Sequence, residues 1–286
     1  MIAMFKIIEK NELAARVFRY VVKVPDIARK AKPGQFIILR IHDGGERIPI
    51  TIADMNPVEG TLTLYVQVVG KTTYQMSLLK AGEGLMDVVG PLGMPSAIEP
   101  VGTVVGIGGG FGIAALYPIL RAHHQAGNRT ISIIGGRSKD LLILRDEISH
   151  VSDSALIATD DGSLGTKGFV TDVLRSLLAS GEKIDLVIAI GPLIMMQAVS
   201  ERTRPSGIRT MVSMNPIMMD GTGMCGACRV NVGGEMKFAC IDGPEFDGHQ
   251  VNFEEVLNRL KMYLPEEKLA MDRYRESLEA ECLAGG

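Results

Sequence analysis

Val104-Val105-Gly106-Ile107-Gly108-Gly109-Gly110-Phe111-Gly112 is an apolar run that dissolves into glycine, and a stretch of helical character follows it. A strand that ends in glycines and opens a helix presents backbone N–H groups and a helix N-terminus to a pyrophosphate. The spacing is not the strict G-x-G-x-x-G, and tight strand–helix turns also use glycine on steric grounds alone, so the loop by itself does not fix a ligand. It does set the rhythm of what surrounds it. From Val101 onward apolar strands alternate with helical stretches, at 104–107, 130–134, 155–158, 186–190 and 208–212, which is the pattern of a parallel sheet covered by helices. Gly127 and Gly181 stand where helices beginning near Gly112 and Gly168 should stop, and Pro192 after Gly191 reads as a helix-opening proline.

Upstream of this segment the pattern is different. Short β-branched and aromatic runs at 17–24, 36–41, 61–69 and 85–89 are separated by Pro33-Gly34, Asp43-Gly44-Gly45 and Glu59-Gly60, and no long helical period intervenes. This predicts an antiparallel barrel.

In an open α/β sheet, ligands bind beyond the carboxyl ends of the strands. That rule gathers Gly108 to Gly112, the Thr159-Asp160-Asp161-Gly162-Ser163 segment after the third strand, and Gly191-Pro192 after the fourth into one expected cleft. Gly135-Gly136-Arg137-Ser138 follows the second strand, where Arg137 and Ser138 could hold a 2′-phosphate; a surface charge is the alternative, so NAD(H) and NADP(H) both remain open. Asp160 and Asp161 also read as an ordinary solvated turn.

Downstream lies Asp220-Gly221-Thr222-Gly223-Met224-Cys225-Gly226-Ala227-Cys228, and after eleven more residues Cys240. Two cysteines separated by two residues can place both sulfurs on one metal centre, and Gly226 and Ala227 let the backbone turn tightly around it. Cys240 arrives after a Gly233-Gly234 turn, and Asp220 is the nearest candidate for a fourth ligand, Cys282 being far off at the terminus. Zinc held by Cys225, Cys228, Cys240 and His249 is one reading. The glycine-rich wrap favours an iron–sulfur cluster, whose sulfides accept backbone N–H bonds. The odd number of clustered cysteines argues against a disulfide.

Length and composition bound the rest. The 286 residues suit two compact domains with an appended module, and 46% apolar with 22% charged residues is the balance of a packed protein. A formal charge of −3 offers no general attraction for nucleic acid. The most apolar segment, 186–196, is too short to span a bilayer and is cut by Gly191-Pro192, and the N-terminus lacks an export signal, so a cytoplasmic protein is expected. Among the 16 methionines, pairs such as Met195-Met196 and Met218-Met219 read as adaptable packing. Asn252 with Glu255 caps a helix bearing Phe253, Val256, Leu257 and Leu260 on one face, Pro265 interrupts it, and a second helix carries Met271, Tyr274 and Leu278. That tail either packs on the body or docks a partner subunit.

The barrel with Pro33-Gly34-Gln35-Phe36, the loop Gly108 to Gly112 and the downstream cysteines together resemble the ferredoxin reductase-like flavoproteins. Within them the chain resembles the FAD and iron–sulfur electron-transfer subunits of NAD-linked dihydroorotate dehydrogenase. It resembles more closely the small subunits of NADH-dependent reduced ferredoxin:NADP oxidoreductase, a group that includes sulfide dehydrogenase subunits. The likeness spans residues 1 to about 250. It implies a flavin held by an Arg-x-x-Ser/Thr segment that falls on Ile48, Pro49, Ile50 and Thr51, with the arginine displaced by one to Arg47. Further flavin contacts are implied at Tyr65, Val66 and Gln67 and at Gly70, Thr72 and Thr73, and Gly90 to Gly93 matches the turn leaving the barrel. Where the dihydroorotate-linked subunits carry a first cysteine this chain has Asp220, so three cysteines and an aspartate around a 2Fe–2S cluster are implied, with a raised potential because a carboxylate donates less charge than a thiolate.

The resulting layout is a FAD barrel at 1–97, an NAD(P) domain at 98–213, a 2Fe–2S module at 214–250 and a helical tail at 251–286. The implied function is electron transfer between NAD(H), FAD and the cluster inside an electron-bifurcating complex, with no catalytic side chain required. The implied partner is a larger subunit, similar to the small subunit of glutamate synthase, that carries another FAD and 4Fe–4S clusters and deals with ferredoxin. The alternatives are an electron-transfer subunit of dihydroorotate dehydrogenase or of a sulfide- or polysulfide-reducing complex, or a zinc-stapled module that only senses NAD(H).

Overall fold

The computed structural model describes residues 5–284; the first four residues, part of the stretch read for an export signal, lie outside the described residues. The first half comprises β1 (Phe5–Ala14), β2 (Val17–Lys23), α1 (Pro25–Ala28), β3 (Phe36–Arg40), β4 (Ile48–Asn56), β5 (Thr61–Gln67), α2 (Lys71–Leu78), β6 (Gly84–Leu85) and β7 (Asp87–Leu92). Its strands form one antiparallel sheet in the order β6-β1-β2-β5-β4-β3-β7. The two edge strands are consecutive in the chain with only Met86 between them, and the Met86 N–H donates to the carbonyls of Arg40 and Ile41 (2.9 and 3.3 Å), so the sheet is nearly closed. Register shifts in β1, in β4 against β5 and in β3 against β7 bend the strands inward. Alternate residues of β2 and β5, Tyr20 and Val22 with Leu62, Leu64 and Val66, point into a core shared with Ile7, Ile37, Leu39 and Ile52.

Three elements of this half differ from the sequence expectation. β1 exposes most of its length and buries Ile7 fully, so its apolar pattern is thin. β4 contains Pro49, which argues against a strand in sequence yet pairs with Ile38 here. The polar helix α2 buries only Thr72 and Met76.

The second half continues with β8 (Thr103–Gly109), α3 (Ile113–Gln125), β9 (Arg129–Gly136), α4 (Arg145–His150), β10 (Ser154–Thr159), β11 (Thr166–Lys167), α5 (Val170–Ala179), β12 (Leu186–Ile190), α6 (Leu193–Thr203) and β13 (Arg209–Ser213). A hairpin of β14 (Arg229–Val232) and β15 (Glu235–Phe238) turns at Gly233-Gly234, and β16 (Glu245–Asp247), α7 (Phe253–Leu260) and α8 (Leu264–Ala284) complete the chain. The sheet order is β11-β10-β9-β8-β12-β13-β16, parallel except for β16, which returns antiparallel onto β13. β8 and β12 are buried along their whole length, which is why both read as continuous apolar runs.

The chain runs outward from β8 to β9 and β10 on one side, and to β12 and β13 on the other, so the topological switch lies between β8 and β12. Barrel and sheet are joined by the Arg121 Nη2 to Asp54 Oδ1 pair at 2.6 Å, α3 against β4, and by Ser96 Oγ donating to Glu245 Oε1 at 2.6 Å. Asn252 accepts the Glu255 N–H as expected (3.1 Å), but α7 has already ended at Leu260, and Pro265 falls in the first turn of α8. α8 leans on α2 through Tyr274 and Tyr74, whose rings meet edge-on at 6.1 Å. Among the described residues no helix is long and apolar enough to cross a membrane.

Candidate functional site

The carboxyl ends of β8, β9, β10, β12 and β13 open onto a cavity of about 1250 Å³ whose opposite wall is the barrel. That volume accommodates more than one large cofactor moiety. At the switch point the backbones nearly touch: a Cβ added at Gly112, just before α3, would lie 2.3 Å from the Ile190 carbonyl oxygen, so glycine is required for the turn after β8 to approach the end of β12 this closely.

On the barrel side the wall is made by Ile48, Pro49, Ile50 and Thr51 of β4, by Tyr65, Val66 and Gln67 of β5, and by Thr73. On the sheet side it is made by Gly109, Gly110, Phe111 and Gly112, by Gly191 and Pro192, and by Arg137 and Asp160. The loops bearing the last two are tied together, since Asp160 N–H donates to Gly136 O (3.1 Å) and Asp161 N–H to Arg137 O (3.2 Å).

Five expected residues lie outside the wall. Arg47 is exposed just before β4. Gly108 is buried in β8 beneath Ile113 and Leu116, and Gly70 is the residue before α2, where its N–H donates to Thr73 Oγ1 (3.1 Å). Thr72 turns away to donate its hydroxyl to Glu46; burial works to raise the Glu46 carboxyl, but Thr72 and then Lys71, 3.0 Å away, hold it below its usual range. Asp161 accepts the Ser163 N–H at 2.9 Å, a turn contact that helps keep its carboxyl low, behind the Ser163 side chain as first cause.

Arg137, Asp160 and Tyr65 are the titratable side chains of the wall among the described residues. Burial pushes the Tyr65 hydroxyl up to about 12, so it remains a donor at neutral pH. Among the described residues no nucleophile–base pair faces the cavity, and its chemistry is that of holding a ligand between largely apolar walls.

The wall also contains residues that sequence reasoning passed over: Phe169, which is 64% exposed, together with Met195, Ser213 at the end of β13, and Met214, Asn215, Pro216 and Met218 of the segment that follows. The strand-end rule applied to the fifth strand would have found that segment.

Met218 leads directly into the cysteine loop. Gly221 packs on the barrel so closely that a Cβ there would lie 2.5 Å from Leu92 Cδ1 and 3.0 Å from Ile38 Cγ1. Cys228 and Cys240 are buried with their sulfurs 3.2 Å apart, inside the same core as Phe36, Met214, Met218 and Phe246. Burial first, and then the Cys228 thiol, push the Cys240 thiol up to about 12, while the Gly223 N–H pulls it down. Two adjacent buried thiols of this kind stay protonated until a metal cation binds and displaces their protons to solvent.

Asp220 is paired with exposed Cys225: its carboxylate accepts the Thr222 N–H on Oδ1 and the Cys225 N–H on Oδ2, each at 2.7 Å, the Thr222 contact being the main reason it is held below its usual range. Among the described residues no three His, Cys, Asp or Glu side chains converge on a single-ion site. His249 faces Thr203, with Nε2 2.9 Å from Oγ1, rather than the cysteines. The candidate ligands fall two and two, and a donor set of three sulfurs and a carboxylate arranged in this way suits a dinuclear iron–sulfur group better than mononuclear zinc.

Known proteins resemble this chain both over the cysteine loop and over nearly its whole length. Residues 215–252 match the family described as the iron–sulfur cluster binding domain of dihydroorotate dehydrogenase B. Over 272 residues the chain is 49% identical to the dihydroorotate dehydrogenase B (NAD(+)) electron transfer subunit homolog of Thermotoga maritima, covering 95% of this chain and 96% of that one. A solved chain from work on electron bifurcation by NADH-dependent reduced ferredoxin-NADP oxidoreductase superimposes with a TM-score of 0.90 at 48% identity, covering 95% of this chain and 98% of that one. A ferredoxin NADP+ reductase from Neisseria gonorrhoeae, solved with FAD and NADP bound, shares the fold at a TM-score of 0.59 and 16% identity, over 72% of this chain and 91% of its own.

Proposed function

The chain belongs to the family of dihydroorotate dehydrogenase B electron-transfer subunits, and on that footing we propose that it passes electrons between NAD(H), FAD and a 2Fe–2S cluster as one subunit of an NADH-dependent reduced ferredoxin:NADP oxidoreductase. FAD occupies the barrel side of the cavity and the nicotinamide nucleotide the sheet side, which corresponds to the division at 1–97 and 98–213. Asp220, Cys225, Cys228 and Cys240 hold the cluster in the module at 214–250. When bound, the flavin takes hydride as an electron pair and gives up electrons singly, and the cluster carries single electrons.

The chain's own residues bind and orient. Thr51, Tyr65 and Gln67 supply hydrogen-bonding groups and Ile48, Pro49 and Ile50 an apolar bed on the barrel side. Gly109, Gly110 and Gly112 leave the phosphates an approach to backbone N–H groups and to the start of α3, and Gly191 keeps the crevice floor clear. Arg137 and Asp160 stand where the adenosine ribose would lie.

The observation that carries this reading is continuity. Met218 and Pro244 line the cavity, and between them the chain forms the loop bearing all four candidate cluster ligands, so the two centres share one wall. The larger FAD and 4Fe–4S subunit, and a cytoplasmic location, follow from the same reading.

Anaerobic purification with iron, sulfide, zinc and flavin analysis tests it. About two irons and one FAD per chain, bleached by NADH, is the expected result; zinc without flavin overturns it. The family name favours a second assembly, with a dihydroorotate dehydrogenase as partner. Identification of the co-purifying subunit separates the two.

A further inference from the structure

Arg259 sits in the last turn of α7, and its Nη2 donates to the carbonyl oxygen of Ala227 at 3.1 Å, between Cys225 and Cys228. Its Nε is buried with no hydrogen-bond partner among the described residues, and no described carboxylate lies within salt-bridge distance of its guanidinium. A half-buried cation with an orphaned donor is costly unless negative charge faces it. The peptide it touches also carries the N–H of Cys228, one of the candidate cluster ligands. A charged donor on the carbonyl of a peptide polarises the N–H at its other end. Arg229, a cation beside Gly226 of this loop, is exposed and therefore screened by solvent.

Resting on the cluster reading above, we propose that Arg259 is a positioning residue whose fixed positive charge, delivered through the Ala227–Cys228 peptide, raises the reduction potential of the cluster and so sets how readily it accepts an electron. Reduction adds negative charge at the loop, and a partly buried cation stabilises that state more than the oxidised one. A purely structural role, pinning the loop to the end of α7, would require the contact but not the charge.

The test is an EPR-monitored redox titration of the intact, anaerobically purified protein as wild type, Arg259→Gln, Arg259→Lys and Arg259→His. Arg259→Gln should shift the potential to more negative values, and Arg259→Lys, which keeps the charge, should stay close to wild type. An unchanged potential in Arg259→Gln, or an equal fall in Arg259→Lys, overturns the proposal. Should Arg259→Gln fail to retain its cluster, Arg259→His decides. Its potential should fall, beyond any drift of the wild type, as pH rises through the imidazole range near about 6.5; a pH profile parallel to wild type overturns the proposal. A wild-type protein without any cluster signal removes the functional reading, and this inference with it.

Discussion

The cleft and the cysteine loop share a wall but are held in place by different means. The cleft is built from the ends of β4, β5, β8 and β12, whose positions are fixed by ladders of backbone hydrogen bonds and by buried rows such as Val104 to Ile107 and Leu186 to Ile190. Between β13 and β14, residues 214–228 contain no helix or strand, and the loop is held by Asp220 contacts, by Gly221 against the barrel and by the two buried sulfurs. The first region has its shape from its own ladders; the second has no ladder of its own, so a group bound to its cysteines would add directly to what orders it.

The sharpest way to break that contrast is Cys240→Ser. It removes one sulfur of the buried pair, and the expected outcome is loss of the iron signal and of the visible cluster absorbance, with FAD content unchanged. Loss of flavin along with iron would show that the cleft does depend on the loop. The converse substitution is Gly112→Val, whose added carbon would meet Ile190 O at 2.3 Å and Gly191 Cα at 2.7 Å, backbone that has nowhere to go. NADH binding should weaken more than tenfold and the fold lose about 2 kcal/mol or more, while iron content stays at the wild-type level. Calorimetry and NADH titration check both parts.

A smaller effect probes only the rim of the cleft. Asp160 lines the cavity beside Arg137, and a carboxylate there disfavours a 2′-phosphate. Asp160→Asn should improve kcat/KM for NADPH relative to NADH by about tenfold, the equivalent of ~1.4 kcal/mol. If the ratio does not move, the adenosine ribose lies elsewhere.

The contrast also explains what could be read in the sequence. β8 and β12 were legible because both of their faces are buried, so 186–190 is apolar throughout and followed by glycine. The cysteine loop was legible because its chemistry is written in spacing. β1, β4 and α2 were not, for each is decided by tertiary context: one buried isoleucine anchors β1, a proline is tolerated in β4, and α2 is a polar turn resting on Met76. The return of β16 onto β13 was invisible too, because a three-residue edge strand carries no periodicity. The resemblance placed Thr72 in the flavin site, where the structure turns it to Glu46, since side-chain direction on a short helix depends on which neighbour offers an acceptor.

Glu245 is where the two regions meet, and it supports the most delicate prediction. It follows Pro244 of the cavity wall, belongs to β16, and accepts the Ser96 hydroxyl from the chain leaving the barrel at 2.6 Å. Burial raises its carboxyl above the ordinary 4.5, against the opposing pulls of Ser96 and Arg209. The folded state therefore keeps a proton that the unfolded chain releases first. The stability this contributes is complete below about pH 4.5 and is lost as pH climbs from there through the raised native value. Glu245→Gln still accepts the Ser96 hydroxyl but cannot ionise, so its stability should decline less over that pH interval and be at least equal to wild type at neutral pH. Denaturant melts at several pH values measure the difference in slope. Parallel profiles would mean that Glu245 is ionised in the fold, and that the seam between cleft and loop is held by charge rather than by a neutral hydrogen bond.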